Sequence, residues 1–388
     1  MNYNFTISER QDRGEVITPE SLVEEMLDKL PREVFKSKTT TFLDPCFGTG
    51  SFLKGVVLRL SANGHSTENI NSRVFGFEIN NKMFNETKRK FRGINIVKQD
   101  FLNTDINMKF DVIVGNPPYQ DSNKTSGKNS SLWTKFIIKA DNLLNKDGYL
   151  LYITPLSWIA PTSAQKKQLK SVFTENNLIY LDTSCKKYFN VGSTFSYYLI
   201  KKDSNYTSTN INGELHENLK IPFLPIVIND ITISITKKIF NSFNETLDFS
   251  SAGRSDIAPN GPYMIYDIND IKRSDKLGKN YNIKKVVVNK PGYLNPKYDD
   301  GLYSTSSNNY WVPVASKKEA DNIISFINSN IGKIILENLY KYSGYNSLGV
   351  LSSLPSVIKF NTWAHREDFK KVLNLTEKEI DYIENAVK

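Results

Sequence analysis

Residues 42–53 read FLDPCFGTGSFL: an apolar run closed by Asp44, a turn from Pro45 to Gly50, and a second apolar stretch opening near Ser51. This is the grammar of a strand, a glycine turn and a helix, because Gly48 and Gly50 let the backbone bend sharply and approach a ligand closely. Outward from it the same alternation repeats. The β-rich runs are VFGFEI (74–79), INIVKQD (94–100), FDVIVGN (110–116), GYLLYITP (148–155), LIYLDTS (178–184) and FSYYLIKK (195–202). Helical spacing fills the gaps in SFLKGVVLRL (51–60), NKMFNETKRKF (81–91), LWTKFIIKADNLL (132–144) and AQKKQLKSVF (164–173). Such alternation predicts a doubly wound α/β domain over residues 1–202, a seven-stranded, mostly parallel sheet with ligands at the carboxyl ends of its strands.

The polar tract KDSNYTSTNINGELHENLK (202–220) lacks clear periodicity and is expected to be a linker, with boundaries at 203–222. Residues 223–388 then form a smaller mixed α+β domain, with one strong strand (KKVVVNK, 284–290), a helical stretch at 317–339 and an amphipathic terminal helix at 376–388.

With 388 residues, 39% of them hydrophobic, the chain can fill two cores. Its 2 cysteines and 3 scattered histidines support neither a disulfide framework nor a zinc site, so no metal is expected. The first residues are polar and no run is long enough to span a bilayer, which points to a cytoplasmic protein without membrane contact. The net charge of +9 favours a polyanionic partner. In the C-terminal half the basic residues gather in one run: Lys272, Arg273, Lys276, Lys279, Lys284, Lys285, Lys290 and Lys297, against Asp275 alone. That run is the candidate phosphate-contacting surface.

The chemistry sits in DVIVGNPPYQ (111–120). A buried-looking strand ends in Asn116, Pro117, Pro118 and Tyr119; the prolines fix φ near −65° and remove two donors, leaving a rigid bend rich in acceptors. Asn116 Oδ1 and the Pro117 carbonyl suit a substrate NH2 group. An amine conjugated with an aromatic ring is a poor nucleophile, and two acceptors holding its hydrogens would localise the lone pair for in-line attack on a methyl group. Tyr119 offers a flat surface for the ring. Glu78, at the end of the second strand, stands where nucleotide-binding folds place a carboxylate for ribose hydroxyls.

DPCFGTGSF, FGFEIN, KQDFLN and GNPPYQ, in this order and preceded by GEVITP (14–19), resemble the successive motifs of the gamma group of S-adenosylmethionine-dependent amino-methyltransferases, the N6-adenine DNA enzymes of restriction-modification and phage systems. The resemblance covers residues 13–202 and implies a Rossmann-like methyltransferase domain followed by a target-recognition domain. It further implies that Thr18 and Pro19 seat the methionine end of the cofactor and that Asp44, Pro45, Gly48 and Gly50 border its amino-acid and ribosyl portion. Glu78 would take the ribose, Ile79 the adenine face, and Asp100 and Phe101 the adenine amine and ring, with Asn116 shared between cofactor and substrate. FNVGSTFSYYLI (189–200) looks like the segment supplying a second aromatic to the flipped target base, with Phe195 the candidate. Double-stranded DNA is the implied partner; a companion endonuclease is left open by the sequence, as is the oligomeric state, with a monomer favoured. Lys124 and Lys128 lie in a polar loop after the catalytic bend and are expected to meet DNA, with Arg254, Asn295, Tyr345 and Asn346 as candidates for base edges. The same bend also serves glutamine-N5 methylation of proteins, RNA adenine methylation and N4-cytosine methylation. The catalytic step needs no metal and no dedicated general base.

Overall fold

The computed structural model describes residues 18–119, 132–159, 169, 171–173, 175–188, 195–203, 208–217, 224–251, 257–340 and 346–386. The chain divides into two compact units, 1–158 with 164–219, and 159–163 with 220–388.

The first unit opens with α1 (Glu20–Leu27) and α2 (Arg32–Lys36), followed by β1 (Phe42–Asp44), α3 (Ser51–Ala62), α4 (Thr67–Arg73), β2 (Val74–Phe77), α5 (Asn81–Lys90) and β3 (Asn95–Val97). Then come β4 (Phe110–Gly115), α6 (Leu132–Leu143), β5 (Leu144–Pro155), β6 (Asn177–Asp182), β7 (Phe195–Lys201), β8 (Ser208–Ile211) and β9 (Glu214–Glu217). They form one sheet in the order β3-β2-β1-β4-β5-β7-β6-β8-β9. β1 pairs in parallel with both β2 and β4, and β4 in parallel with β5, whereas β7 runs antiparallel between β5 and β6. Strand order therefore reverses between β1 and β4, and the crevice at their carboxyl ends is where an open α/β sheet receives ligands.

One face of the sheet is sealed by α1 and α3. Leu22, Val23, Met26 and Leu27 recur at helical spacing on α1 and pack with Phe52, Leu53 and Val56 of α3 against Val112, Val114 and Leu151. The turn into α3 is held by its glycines. Gly50 has φ +83°, and a Cβ there would lie 2.9 Å from both Phe91 Cε2 and Thr87 Cγ2. Its N–H donates to the Phe47 carbonyl at 2.7 Å, closing the turn directly ahead of the helix.

The sheet has nine strands rather than the expected seven, and the additional pair lies in the tract expected to be a linker. Asn212 and Gly213 both take positive φ, +52° and +97°, as a two-residue hairpin turn requires. Thr209 and Ile211 turn inward, and Thr209 Oγ1 donates to the Leu178 carbonyl at 2.7 Å. Polar composition concealed a short edge hairpin with only one buried face.

The second unit is α+β. α7 (Asp230–Phe240) precedes β10 (Ser250–Ser251), β11 (Tyr263–Asp267), β12 (Asp270–Ser274), β13 (Lys284–Asn289), β14 (Lys297–Asp300), β15 (Ser304–Thr305) and β16 (Asn309–Pro313). These strands make two sheets, β10-β16-β13-β14 and β12-β11-β15. α8 (Lys317–Asn328), α9 (Asn330–Lys333), α10 (Leu348–Ser352), α11 (Arg366–Val372) and α12 (Glu377–Asn385) complete it. The helical stretch expected over 317–339 is interrupted at Ser329, whose backbone is extended and whose Oγ accepts the Gly332 N–H at 3.0 Å, starting a new helix. Val286, Val288, Val312, Ile323, Phe326 and Trp363 are central to this unit's core.

Candidate active site

β4 is buried along nearly its whole length and ends at Gly115 because Pro117 and Pro118 cannot donate to a continuing ladder. At the neighbouring strand end, β1 delivers Asp44 into the glycine turn. The two ends meet closely: the Cys46 thiol donates to the Asn116 carbonyl at 3.4 Å, and a Cβ on Gly115 would lie 3.2 Å from Asp44 Oδ1. Between them opens a cleft of about 1020 Å³. Thr18, Asp44, Pro45, Gly48, Glu78, Ile79, Asp100, Phe101, Asn116, Pro117 and Pro118, all singled out from the sequence, line it.

The two acids beside the glycine turn are buried and engaged. Glu78 receives the Gly48 N–H on Oε2 at 2.9 Å and the Asn80 N–H on Oε1 at 2.6 Å, tying the turn to the start of α5. Asp44 accepts the Cys46 N–H at 3.1 Å and is only 2% exposed. Burial, and secondarily the charge of Glu78, raises the Asp44 carboxyl to about 8. An acid raised in this way holds its proton at neutral pH, and a cationic group brought beside it would favour the ionised form. Ile79, by contrast, is a large apolar side chain left 66% exposed on the cleft wall, as a residue that covers an aromatic ring would be.

At the bend, Asn116 is held from both ends of its amide. Its Nδ2 donates to Thr18 Oγ1 at 3.0 Å, and its Oδ1 accepts the Tyr119 hydroxyl at 2.8 Å. Burial pushes the Tyr119 phenol well above its ordinary value, so the hydroxyl stays a donor. This network places Asn116 Oδ1 under partial occupation, and a carbonyl oxygen retains a second lone pair for another donor.

Several expected roles are altered by the packing. Phe195 is 2% exposed and its ring centroid lies 5.3 Å from that of Tyr119. A base stacked on both faces needs rings about 7 Å apart, twice the contact distance of roughly 3.5 Å, so Phe195 serves here as a buried support for Tyr119 rather than as an opposing plate. It opens β7, which is buried on both faces, on the side it shares with Tyr197 and Leu199. Phe101 is likewise 2% exposed, stacked on Phe136 at 5.4 Å, with the Lys139 ammonium 5.1 Å from its centroid. It stiffens the cleft wall and offers little area to a ligand. Asp100 caps the turn after β3, accepting from Leu102 N–H at 2.9 Å and Asn103 Nδ2 at 2.5 Å. Pro19 lies at the N-terminus of α1 and does not line the cleft.

Sequence reading missed the wall formed by α6. Leu132, Lys135, Phe136, Lys139 and Asn142 face the cleft at a spacing of three and four residues. The periodicity was visible, but only the fold shows which groove that face overlooks. Lys139 is not a free cation: it donates to the Leu102 and Thr104 carbonyls at 3.2 and 2.6 Å.

In the second unit the basic run divides. Lys285 is fully buried, ion-paired with Asp299 and donating to the carbonyls of Asn280, Ile283 and Tyr303, so it is a core group and not a phosphate contact. Lys272 pairs with Asp267 at 2.5 Å and Lys284 with Asp300 at 3.4 Å. Arg273, Lys276 and Lys279 are exposed, and Lys290 is half-buried. Asn346, a candidate for base contact, is buried and donates to the Asn289 and Gly292 carbonyls. Lys124, Lys128, Arg254 and Tyr345 lie outside the described residues. Among the described residues no cluster of acids, cysteines and histidines has a metal-binding arrangement, and no helix is long and apolar enough to cross a membrane.

Residues 27–189 match the Eco57I restriction-modification methylase family. The matched segment contains the glycine turn, Glu78 and the Asn-Pro-Pro-Tyr bend. The type II methyltransferase M.VspI of Vibrio sp. (strain 343) is 28% identical over 172 residues, covering 39% of this chain and 40% of the relative. The modification methylase CviBIII of Paramecium bursaria Chlorella virus NC1A is 28% identical over 161 residues, with the same two coverages, 39% and 40%. The matched segment thus spans well under half of these relatives. Among solved structures, the type IIL restriction-modification enzyme MmeI in complex with DNA aligns with 99% of this chain and 71% of its own at a TM-score of 0.47 and 14% identity. The M protein of the type I restriction enzyme EcoKI aligns with 51% of this chain and 48% of its own at a TM-score of 0.41 and 12% identity.

Proposed function

We propose that the chain is a DNA methyltransferase that uses S-adenosylmethionine to methylate the N6 amine of an adenine rotated out of the duplex. The observation that carries this is the meeting of two strand ends in one cleft: the glycine turn with Asp44 and Glu78 on one side, the acceptor-rich bend of Asn116 and Pro117 on the other. The methylase match over residues 27–189 and the DNA-modifying names of the relatives support the same conclusion.

The residues fit the cofactor chemically. Asp44, once ionised, attracts a cationic amino-acid group; Gly48 keeps that wall low, whereas Gly50, which does not line the cleft, serves the turn against Phe91 and Thr87; Glu78 has acceptor capacity for ribose hydroxyls; Ile79 offers an apolar face to a purine. When bound, the cofactor supplies a methyl group on a sulfonium, a strong electrophile. The protein's contribution lies on the acceptor side. Asn116 Oδ1 and the Pro117 carbonyl each take one hydrogen of the target amine, drawing nitrogen towards tetrahedral geometry so that its lone pair points along the line of attack. Thr18 occupies Nδ2 of the Asn116 amide, which leaves the remaining lone pair of Oδ1, already bonded by the Tyr119 hydroxyl, as the acceptor for the substrate. Tyr119 packs on Phe195 behind the residues that line the cleft, and stacking of the target base on its ring would offset part of the cost of taking a base out of its stack, at roughly 1–3 kcal/mol per contact. The alkylated nitrogen is acidic enough to lose its proton to water.

The test is incubation of the purified chain with methyl-labelled S-adenosylmethionine and duplex DNA, tRNA or protein in parallel, followed by nucleoside analysis. N6-methyladenine in DNA is expected. Asn116→Ala should bind cofactor and lose most transfer, and a variant transferring at the parental rate would refute the role of the bend.

A further inference from the structure

The basic run of the second unit loses Lys285 to the core, yet its remaining parts are drawn together by asparagine side chains. Asn269, at the turn between β11 and β12, accepts Asn289 Nδ2 at 2.8 Å and Asn295 Nδ2 at 2.7 Å, and its carbonyl lies 3.5 Å from Lys297 Nζ. The loop that follows β13 is clamped from below. The Asn289 N–H donates to the Leu294 carbonyl at 2.7 Å, Leu294 is 2% exposed, and the buried Asn346 amide reaches the Asn289 and Gly292 carbonyls at 2.9 and 3.2 Å. Gly292, at φ +68°, permits the tight reversal.

Between these anchors Tyr293 stands 80% exposed. The amides order the loop, and the ring gains almost no burial in return, so folding alone does not account for its display. Lys290 and Lys297 flank it, and no carboxylate occurs from residue 284 to residue 298. A rigid loop offering one bare aromatic ring between two cations is complementary to a polyanion that carries flat bases.

Building on the function proposed above, we infer that the loop Lys290–Lys297 is a DNA-reading element, with Lys290 and Lys297 on phosphates and Tyr293 against base or sugar. A second protein as partner is disfavoured because Tyr293 is the one large apolar side chain the loop exposes, beside only the half-buried Pro291 and Pro296: Leu294 is buried and Asn295 is engaged by Asn269.

The experiment uses the full chain, the duplex that the parent methylates (identified by methylation mapping of expressing cells) and a scrambled duplex, with affinities measured across a salt series. The double variant Lys290→Ala, Lys297→Ala is expected to flatten the slope of log K against log salt by about two, near 0.9 per phosphate lost. Tyr293→Ala is expected to leave that slope intact and to reduce the preference for the target duplex by about ten-fold or more. Cofactor affinity should stay parental in all variants, which separates a reading defect from misfolding. Parental slope and discrimination in these variants, with the parent methylating DNA, would overturn the loop assignment alone. A parent that neither binds nor methylates DNA would overturn the proposed function and the loop with it.

Discussion

Asp44→Asn tests the physical core of the site, because it should stabilise the empty protein while crippling it. The Asp44 carboxyl lies almost wholly out of water and is raised by burial, and then by Glu78, from 3.8 to about 8. Between those two values the folded protein holds a proton that the unfolded chain releases, so the native state loses stability as pH rises through this window. At about 1.4 kcal/mol per unit, the penalty accumulated by pH 7 has an upper bound of about 4 kcal/mol. Asparagine keeps the side-chain shape and an acceptor for the Cys46 N–H without the charge. Urea unfolding of the parent and the variant, without cofactor, should therefore show nearly equal stability at pH 4 and a lead for the variant that grows up to pH 8. Cofactor binding should move the opposite way. Parental affinity is expected to tighten with pH as Asp44 ionises and to level off only above pH 8, whereas the variant binds at least ten-fold more weakly with a flat profile. A stability difference independent of pH, or a variant less stable than the parent at pH 8, would refute the account of a buried, proton-holding carboxylate.

Three further expectations follow from single contacts. Gly50→Val combines a left-handed φ with contacts of 2.9 Å to Phe91 and Thr87, and should lower the midpoint of thermal unfolding by several degrees, consistent with a strain of about 1–3 kcal/mol. Lys285→Met strands Asp299 in the core and should cost about 3–5 kcal/mol in urea unfolding, while the double variant Lys285→Met, Asp299→Leu recovers much of it; an undiminished single variant would contradict the burial. Tyr119→Phe removes the hydroxyl bonded to Asn116 Oδ1 but keeps the ring on Phe195, so single-turnover transfer should fall by less than ten-fold, against a loss of a hundred-fold or more for Tyr119→Ala.

Much of this architecture is legible along the chain because it depends on local chemistry. The alternation of apolar runs specifies the first seven strands of the sheet, since each must bury its side chains within a few residues. Asp44, Gly50 and the Asn116–Tyr119 bend announce themselves through backbone demands that few residues meet: left-handed φ at Gly50, a donor-free corner at Pro117 and Pro118. The β8–β9 hairpin left a local signal as well, Asn212-Gly213, masked by polar neighbours.

What composition and spacing could not decide is which side chains share a space. Whether Phe195 faces a ligand or supports Tyr119 depends on the register of β7 against β5, a long-range pairing. Lys284 and Lys285 are adjacent and chemically identical, yet strand alternation in β13 puts one in water and the other against Asp299 in the core. The wall that α6 gives the cleft is of the same kind. A residue's conformational preference belongs to its own few bonds and survives in the sequence. The dielectric around it, and the partner it meets, belong to atoms dozens of positions away and exist only once the chain has packed.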